Sequence, residues 1–246
     1  MTPSDRWLSL TAVAADHRTN VFCFPFAGGG ASFYRAWRPL APGTIALCPL
    51  QPPGREERFR EPPFASMPPL VRAASDALLS WLSRPYALFG HSMGALACFE
   101  IAHELRARGA PLPAHLFVSG APAPHLAAQI APIYDLPDDQ LLEAMQRYGA
   151  LPAEVLRSHE LVEVLLPRWR ADLAVTGTYV YAERPPLPCP ITAFGGDADA
   201  VVAPESVEAW CEHTRSSSRC EILPGGHFFI AHHARSIVTA VARALA

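Results

Sequence analysis

Short apolar runs alternate with helical stretches through most of this chain, and that rhythm limits its fold more than any other feature. Runs at 21–26, 43–50, 86–89, 115–119, 191–194 and 218–223 are apolar or β-favouring, and most of them end in turn residues. Helical stretches are read at 31–40, 68–83, 95–108, 204–213 and 232–246. Strands that alternate with helices predict a mostly parallel sheet flanked by helices on both faces. The rhythm stops between 122 and 186. Periodic stretches at 138–148, 154–166 and 168–181 follow one another there, Pro152 and Pro167 break between them, and no strand is read. This predicts a helical insertion over the C-terminal edge of the sheet, where open α/β sheets bind ligands, and it reads as a lid. The expectation is one α/β domain over 1–246 with a lid insertion at about 122–186.

Composition excludes several classes. A net charge of −3 over 246 residues does not suit a nucleic-acid binder, although all 20 basic residues are arginine. No apolar stretch is long enough to span a membrane. The run at 7–15 lacks a strong positive flank and contains Ser9 and Thr11, so it is not read as a secretion signal. The six cysteines form no CxxC pair, and buried free thiols in a cytoplasmic protein are expected.

The stretch Gly90-His91-Ser92-Met93-Gly94 lies where the 86–89 strand meets the 95–108 helix. Glycines two before and two after a serine at a strand-to-helix turn form the nucleophile-elbow pattern. The turn is too tight for side chains at the flanking positions, and the helix N-terminus favours developing negative charge. The 21–26 strand runs into Ala27-Gly28-Gly29-Gly30, which is not the GxGxxG of a dinucleotide site. In hydrolases built this way, the loop after this early strand gives one oxyanion N–H and the residue after the nucleophile gives the other. Those positions are Ala27 and Met93.

A serine needs a base, and the base needs a carboxylate to fix its tautomer. His227 follows the 218–223 strand and a Gly-Gly pair. Asp197 and Asp199 both follow the 191–194 strand; Asp199, further past the strand, is favoured, and Asp197 then holds the turn. The order Ser92, Asp199, His227 is that of α/β-hydrolases. Among the other histidines, His91 is read as shaping the elbow, His103 as packing or surface, and His232 and His233 as cap or surface groups. No cluster has metal-ligand spacing, so neither metal nor cofactor is expected. The charged loop around Arg55 reads either as solvated or as bringing an arginine to an acidic partner or a phosphate.

Taken together, Phe24-Pro25-Phe26-Ala27-Gly28-Gly29, Pro53-Gly54-Arg55-Glu56 with Arg58, Gly90 to Ala95, Phe99-Glu100-Ile101-Ala102, Arg170-Ala171-Asp172 and Gly225-Gly226-His227-Phe228-Phe229 resemble the type II thioesterases of polyketide synthase and nonribosomal peptide synthetase systems. These matches span most of the chain. The resemblance implies an α/β-hydrolase fold and hydrolysis of acyl thioesters from the phosphopantetheine arm of acyl or peptidyl carrier proteins, so that stalled or wrong chains are cleared. It implies Ser92, Asp199 and His227 as the triad, and Ala27 and Met93 as oxyanion donors. Phe26 and Phe228 are candidates for contact with substrate. Arg55 and Asp172 match the family motifs without an assigned catalytic role, with lid anchoring as the default. A cytoplasmic monomer is expected, with carrier domains as partners and neither nucleic acid nor membrane. The rival readings are an esterase or acyltransferase for a free small molecule, a carrier-binding protein without activity, and a terminal chain-releasing domain.

Overall fold

Six strands form one sheet in the computed structural model, which describes residues 6–8, 19–149, 155 and 157–246. They are β1 (Thr19–Phe24), β2 (Ile45–Pro49), β3 (Tyr86–His91), β4 (His115–Ser119), β5 (Ile191–Gly196) and β6 (Ser218–Leu223). Their order is β2-β1-β3-β4-β5-β6 and every paired strand is parallel. The chain steps from β1 outward to β2, then crosses back to place β3 on the other side of β1. That reversal opens a crevice between the C-terminal ends of β1 and β3, the usual ligand position in such sheets. The register sets Phe24 beside Gly90, so the Gly loop and the elbow leave the sheet side by side.

Both faces of the sheet are covered, and alternate residues divide between them. Phe22, Phe24, Leu88, Leu116 and Val118 pack into the core under α2 (Met67–Leu78) and α3 (Met93–Ala107). Val21, Cys23, Ala87, Phe89 and Phe117 face the opposite core, under α1 (Ala31–Arg35) and the C-terminal helix. Two buried faces explain why the strands read as continuous apolar runs. Each fully buried Phe or Leu is worth about 1.5–3 kcal/mol relative to exposure.

Between β4 and β5 the chain forms a 3₁₀ segment at Pro124–Gln129, then α4 (Asp138–Arg147) and α5 (His159–Gly177). Leu141 and Met145 of α4 meet Leu166 and Trp169 of α5 in a separate small core. The sequence predicts a break at Pro167; instead α5 runs straight through it. Pro167 sits on the exposed side of the helix, where the carbonyl it leaves unpaired can turn to water, while Leu166 and Trp169 stay buried. The predicted break at Pro152 and the start of the 154–166 helix fall outside the described residues, as do residues 9–15 of the run weighed as a secretion signal. After β5 come α6 (Pro204–Glu208), which tightens into a 3₁₀ turn at Ala209–His213, and after β6 α7 (Ala234–Ala244). The 31–40 and 68–83 helices likewise end in 3₁₀ turns rather than continuing as α-helix.

The cysteine expectation needs one correction. All six are free, and Cys23, Cys48, Cys98 and Cys189 are buried, but Cys211 and Cys220 are exposed. β6 is the sheet's edge and much of it is open to solvent, which is how Cys220 escapes burial.

Several histidines are structural. Burial pushes His103 down to about 3, helped by Arg184, Arg106 and His213. It pushes His115 down to about 4, and His213 to about 4 with help from His125 and Arg184. The unfolded chain, with imidazoles near 6.5, binds protons that the native state refuses, so the stability these groups support is full above about pH 6.5 and is lost as pH falls towards 4. Thermal melts should therefore show a lower Tm at about pH 5 than at about pH 7.5, and His115→Gln should flatten that slope.

Candidate active site

At the end of β3 the backbone turns sharply into α3, with Ser92 at φ 54°, ψ −119°. A non-glycine residue held there is strained, and such strain is typical of functional turns. A Cβ on Gly90 would overlap the Gly94 carbonyl, and one on Gly94 would run into the carbonyls of Phe24 and Pro25. Both glycines are therefore forced by backbone packed on backbone.

The structure brings the three polar residues predicted from sequence into one chain of contacts. His227 Nε2 lies 3.1 Å from Ser92 Oγ, and His227 Nδ1 lies 2.8 Å from Asp199 Oδ2. Asp199 Oδ1 accepts the N–H groups of Val201 (2.8 Å) and Val202 (3.1 Å), so the carboxylate is fully engaged although its side chain is only 1% exposed. An acceptor at Nδ1 sets the tautomer that leaves Nε2 free to take the Ser92 proton. Asp197 is turned elsewhere: its Oδ1 accepts the Gly225 N–H at 2.8 Å and ties the loop after β5 to the loop after β6.

Beside this chain lies an apolar cavity of about 120 Å³. Its floor is Ser92, Met93 and Leu96. Ile130, Ile133, Met145, Leu173 and Thr176 from the helical insertion roof it. Phe26 and Phe228 line it edge to face, with ring centres 5.0 Å apart. Ala27 and Met93 also line it, and among the described residues neither N–H has an acceptor within the protein. Met93 is the first residue of α3, where an unpaired N–H is inherent to the helix start. A wider cleft of about 300 Å³, lined by Arg147, Tyr148, Ala200 and His232, reaches His227 and Phe228 as well.

His91 is buried beneath the site. Its Nδ1 lies 3.0 Å from Ser119 Oγ, and its ring centre is 5.1 Å from that of His227. Burial, and next the neighbouring His227, hold it well below the ordinary imidazole value, so it stays neutral. It thus supports the His227–Phe229 loop as well as the elbow. His103 packs on Phe99, and His232 is exposed. Among the described residues no three metal-ligating side chains gather.

Sequence reading leaves Arg55 and Asp172 without a catalytic role and with lid anchoring as the default; here they form a buried pair at 2.6 Å, their side chains 11% and 4% exposed. Asp172 Oδ2 also accepts the Gly28 N–H at 2.8 Å, and Arg55 Nη1 donates to the Gly29 carbonyl at 3.0 Å. Burial raises the Asp172 carboxyl while Arg55 and the Gly28 N–H pull it down. Of the two readings of the charged loop, the arginine that meets an acidic partner is the one realised at Arg55. Next to it, Glu56 adopts φ 45° and aims its carboxylate at the Ser32 N–H (3.0 Å) and at Arg35 (2.8 Å).

The fold and the layout of this site define an α/β-hydrolase. Residues 19–245 match the family model described as "Thioesterase domain". The chain is 40% identical over 233 residues to "Linear gramicidin dehydrogenase LgrE" of Brevibacillus parabrevis, covering 94% of this chain and 88% of that protein. It superposes on RedJ, the thioesterase from the prodiginine pathway in Streptomyces coelicolor, with a TM-score of 0.87 at 41% identity, covering 94% of this chain and 96% of that one. It also superposes on the type II thioesterase BorB of the borrelidin biosynthetic cluster, with a TM-score of 0.89 at 34% identity and 98% of both chains covered. The chain belongs to the thioesterase domain family.

Three substitutions test the geometry. Gly94→Ala should abolish activity or soluble folding, checked by circular dichroism and turnover, because backbone carbonyls cannot withdraw as a flexible side chain can. Asp199→Asn should turn an amide N–H₂ towards His227 and favour the wrong tautomer, lowering kcat by roughly 10⁴. Asp197→Asn keeps an acceptor for Gly225 and should stay near wild-type turnover.

Proposed function

We propose that this thioesterase frees acyl groups from the phosphopantetheine arm of acyl or peptidyl carrier proteins, clearing aberrant or stalled chains in a polyketide or nonribosomal peptide pathway. The observation that carries the reading is the continuous Asp199–His227–Ser92 chain beside an apolar cavity. The relatives support the substrate class, since they are named for prodiginine and borrelidin biosynthesis and one is a type II thioesterase. The name of the gramicidin relative speaks of a dehydrogenase; the reading for this chain rests on its own triad and on a loop after β1 that lacks the dinucleotide pattern.

In this reading the acyl chain occupies the cavity and the pantetheine approaches through the cleft beyond Phe228. Ser92 Oγ attacks the thioester carbonyl while His227 Nε2 takes its proton. The Ala27 and Met93 N–H groups receive the oxyanion. The C–S bond breaks and His227 protonates the departing sulfur. Water then attacks the acyl-serine, giving its proton to His227, and the C–O bond to Ser92 breaks as His227 returns a proton to Oγ. Asp199 holds the imidazolium throughout. Phe26 and Phe228 bracket the acyl chain near the reacting carbon. The 122–186 insertion acts as a lid on a single domain, and the protein works as a cytoplasmic monomer without a cofactor. An apolar chamber discriminates a methylene by only about 1–3 kcal/mol, so tolerance of several acyl chains is expected.

A panel of acyl-carrier proteins of varied chain length, read by mass spectrometry, tests this. Wild-type protein should release the acids and Ser92→Ala should not. Faster cleavage of matched simple esters than of acyl-carrier protein would overturn the carrier assignment.

A further inference from the structure

The hydrolytic steps leave Asp172 and Arg55 unused, yet the pair is buried against the loop that carries Ala27. Side chains and one turn account for most of that loop's N–H groups. Gly28 donates to Asp172, Gly29 to the Phe26 carbonyl, Ala31 to Gln51 and Ser32 to Glu56. Among the described residues this leaves the N–H groups of Ala27 and Gly30 without an acceptor in the protein, and of these two only Ala27 lines the cavity.

Helix α5 lies directly on this loop. Trp169, one turn before Asp172, packs so closely that a Cβ on Gly28 would stand 2.9 Å from its ring, and Gly28 itself takes φ +77°. Arg55 completes the arrangement by bridging Asp172 and the Gly29 carbonyl. An isolated carboxylate so close to the site would oppose the negative charge that develops on the substrate oxygen; the guanidinium offsets it. We propose that Asp172, paired with Arg55, is a positioning group that fixes the Ala27–Gly29 peptides for oxyanion stabilisation, so that the seat of the lid helix and the oxyanion hole are assembled together. This rests on the reading of Ala27 as an oxyanion donor.

Misplacing a donor by an ångström costs up to ~10²-fold in rate. Asp172→Ala and Arg55→Met should therefore lower kcat on an acyl-carrier protein by ~10- to 100-fold with KM held within about threefold. Affinity for a trifluoromethyl ketone of matching chain length, which mimics the tetrahedral oxyanion, should fall by the same factor. Arg55→Lys should recover part of both losses. Asp172→Asn keeps similar volume and supplies the same comparison if the harsher variants do not fold. A fall confined to KM or to Tm, or a fall in kcat without the matching loss of ketone affinity, would overturn the proposal. Labelling of Ser92 by a fluorophosphonate separates the two layers. Labelled wild type with unaffected variants sinks this inference alone. Wild type that neither labels nor binds the ketone sinks the triad reading beneath it.

Discussion

The site depends on a place where backbone lies against backbone without side chains between. At the crossing of β1 and β3, the Phe24 and Pro25 carbonyls come so near the first turn of α3 that position 94 has no room for a Cβ, and position 90 has none against the same turn. This contact fixes the strained conformation of Ser92 and the separation of the elbow from the Gly loop. Because the two loops leave adjacent strands in register, the nucleophile and the Ala27 peptide share one wall of the cavity. The side-chain chemistry is built on that contact.

Two buried carboxylates use the low-dielectric interior in different ways. Asp199 takes two backbone N–H groups on one oxygen and His227 on the other, which leaves it no freedom to rotate. Asp172 takes a backbone N–H on one oxygen and a guanidinium on the other. Each is a buried charge made tolerable by complete pairing, and removing one partner of such a pair typically costs about 3–5 kcal/mol. One orients the base and the other joins the helical insertion to the Gly loop. His91, neutral and packed under His227, fills the space between elbow and base loop without adding charge.

Much of this could be read from sequence, for identifiable reasons. The strands were legible because both sheet faces are buried, so their apolar runs are unbroken. The elbow, Asp199 and His227 were legible because each directly follows a strand and the parallel topology delivers all three to one edge. The sequence favours Asp199 over Asp197 from its place further past the strand, and the contacts put Asp199 against His227 and Asp197 against the Gly225 N–H. The course of α5 was misread at Pro167 because a proline's penalty depends on which side of the helix it occupies. The partnership of Arg55 with Asp172 spans 117 positions, and no local pattern states it. Both lay in motifs, which marked them as special without saying what they touch. The exposure of Cys220 follows from its place on the edge strand, which strand order alone reveals.

Helix α5 carries two kinds of residue on the same inward face. Leu173 and Thr176 line the cavity, whereas Trp169 and Asp172, on the same side of the helix, meet the Gly28 peptide. A lineage that drifts towards a longer or shorter acyl group can exchange the first kind freely while the second stays fixed. Diversity among such enzymes should therefore show as a finely interleaved pattern, in which variable and invariant positions alternate along a single helix.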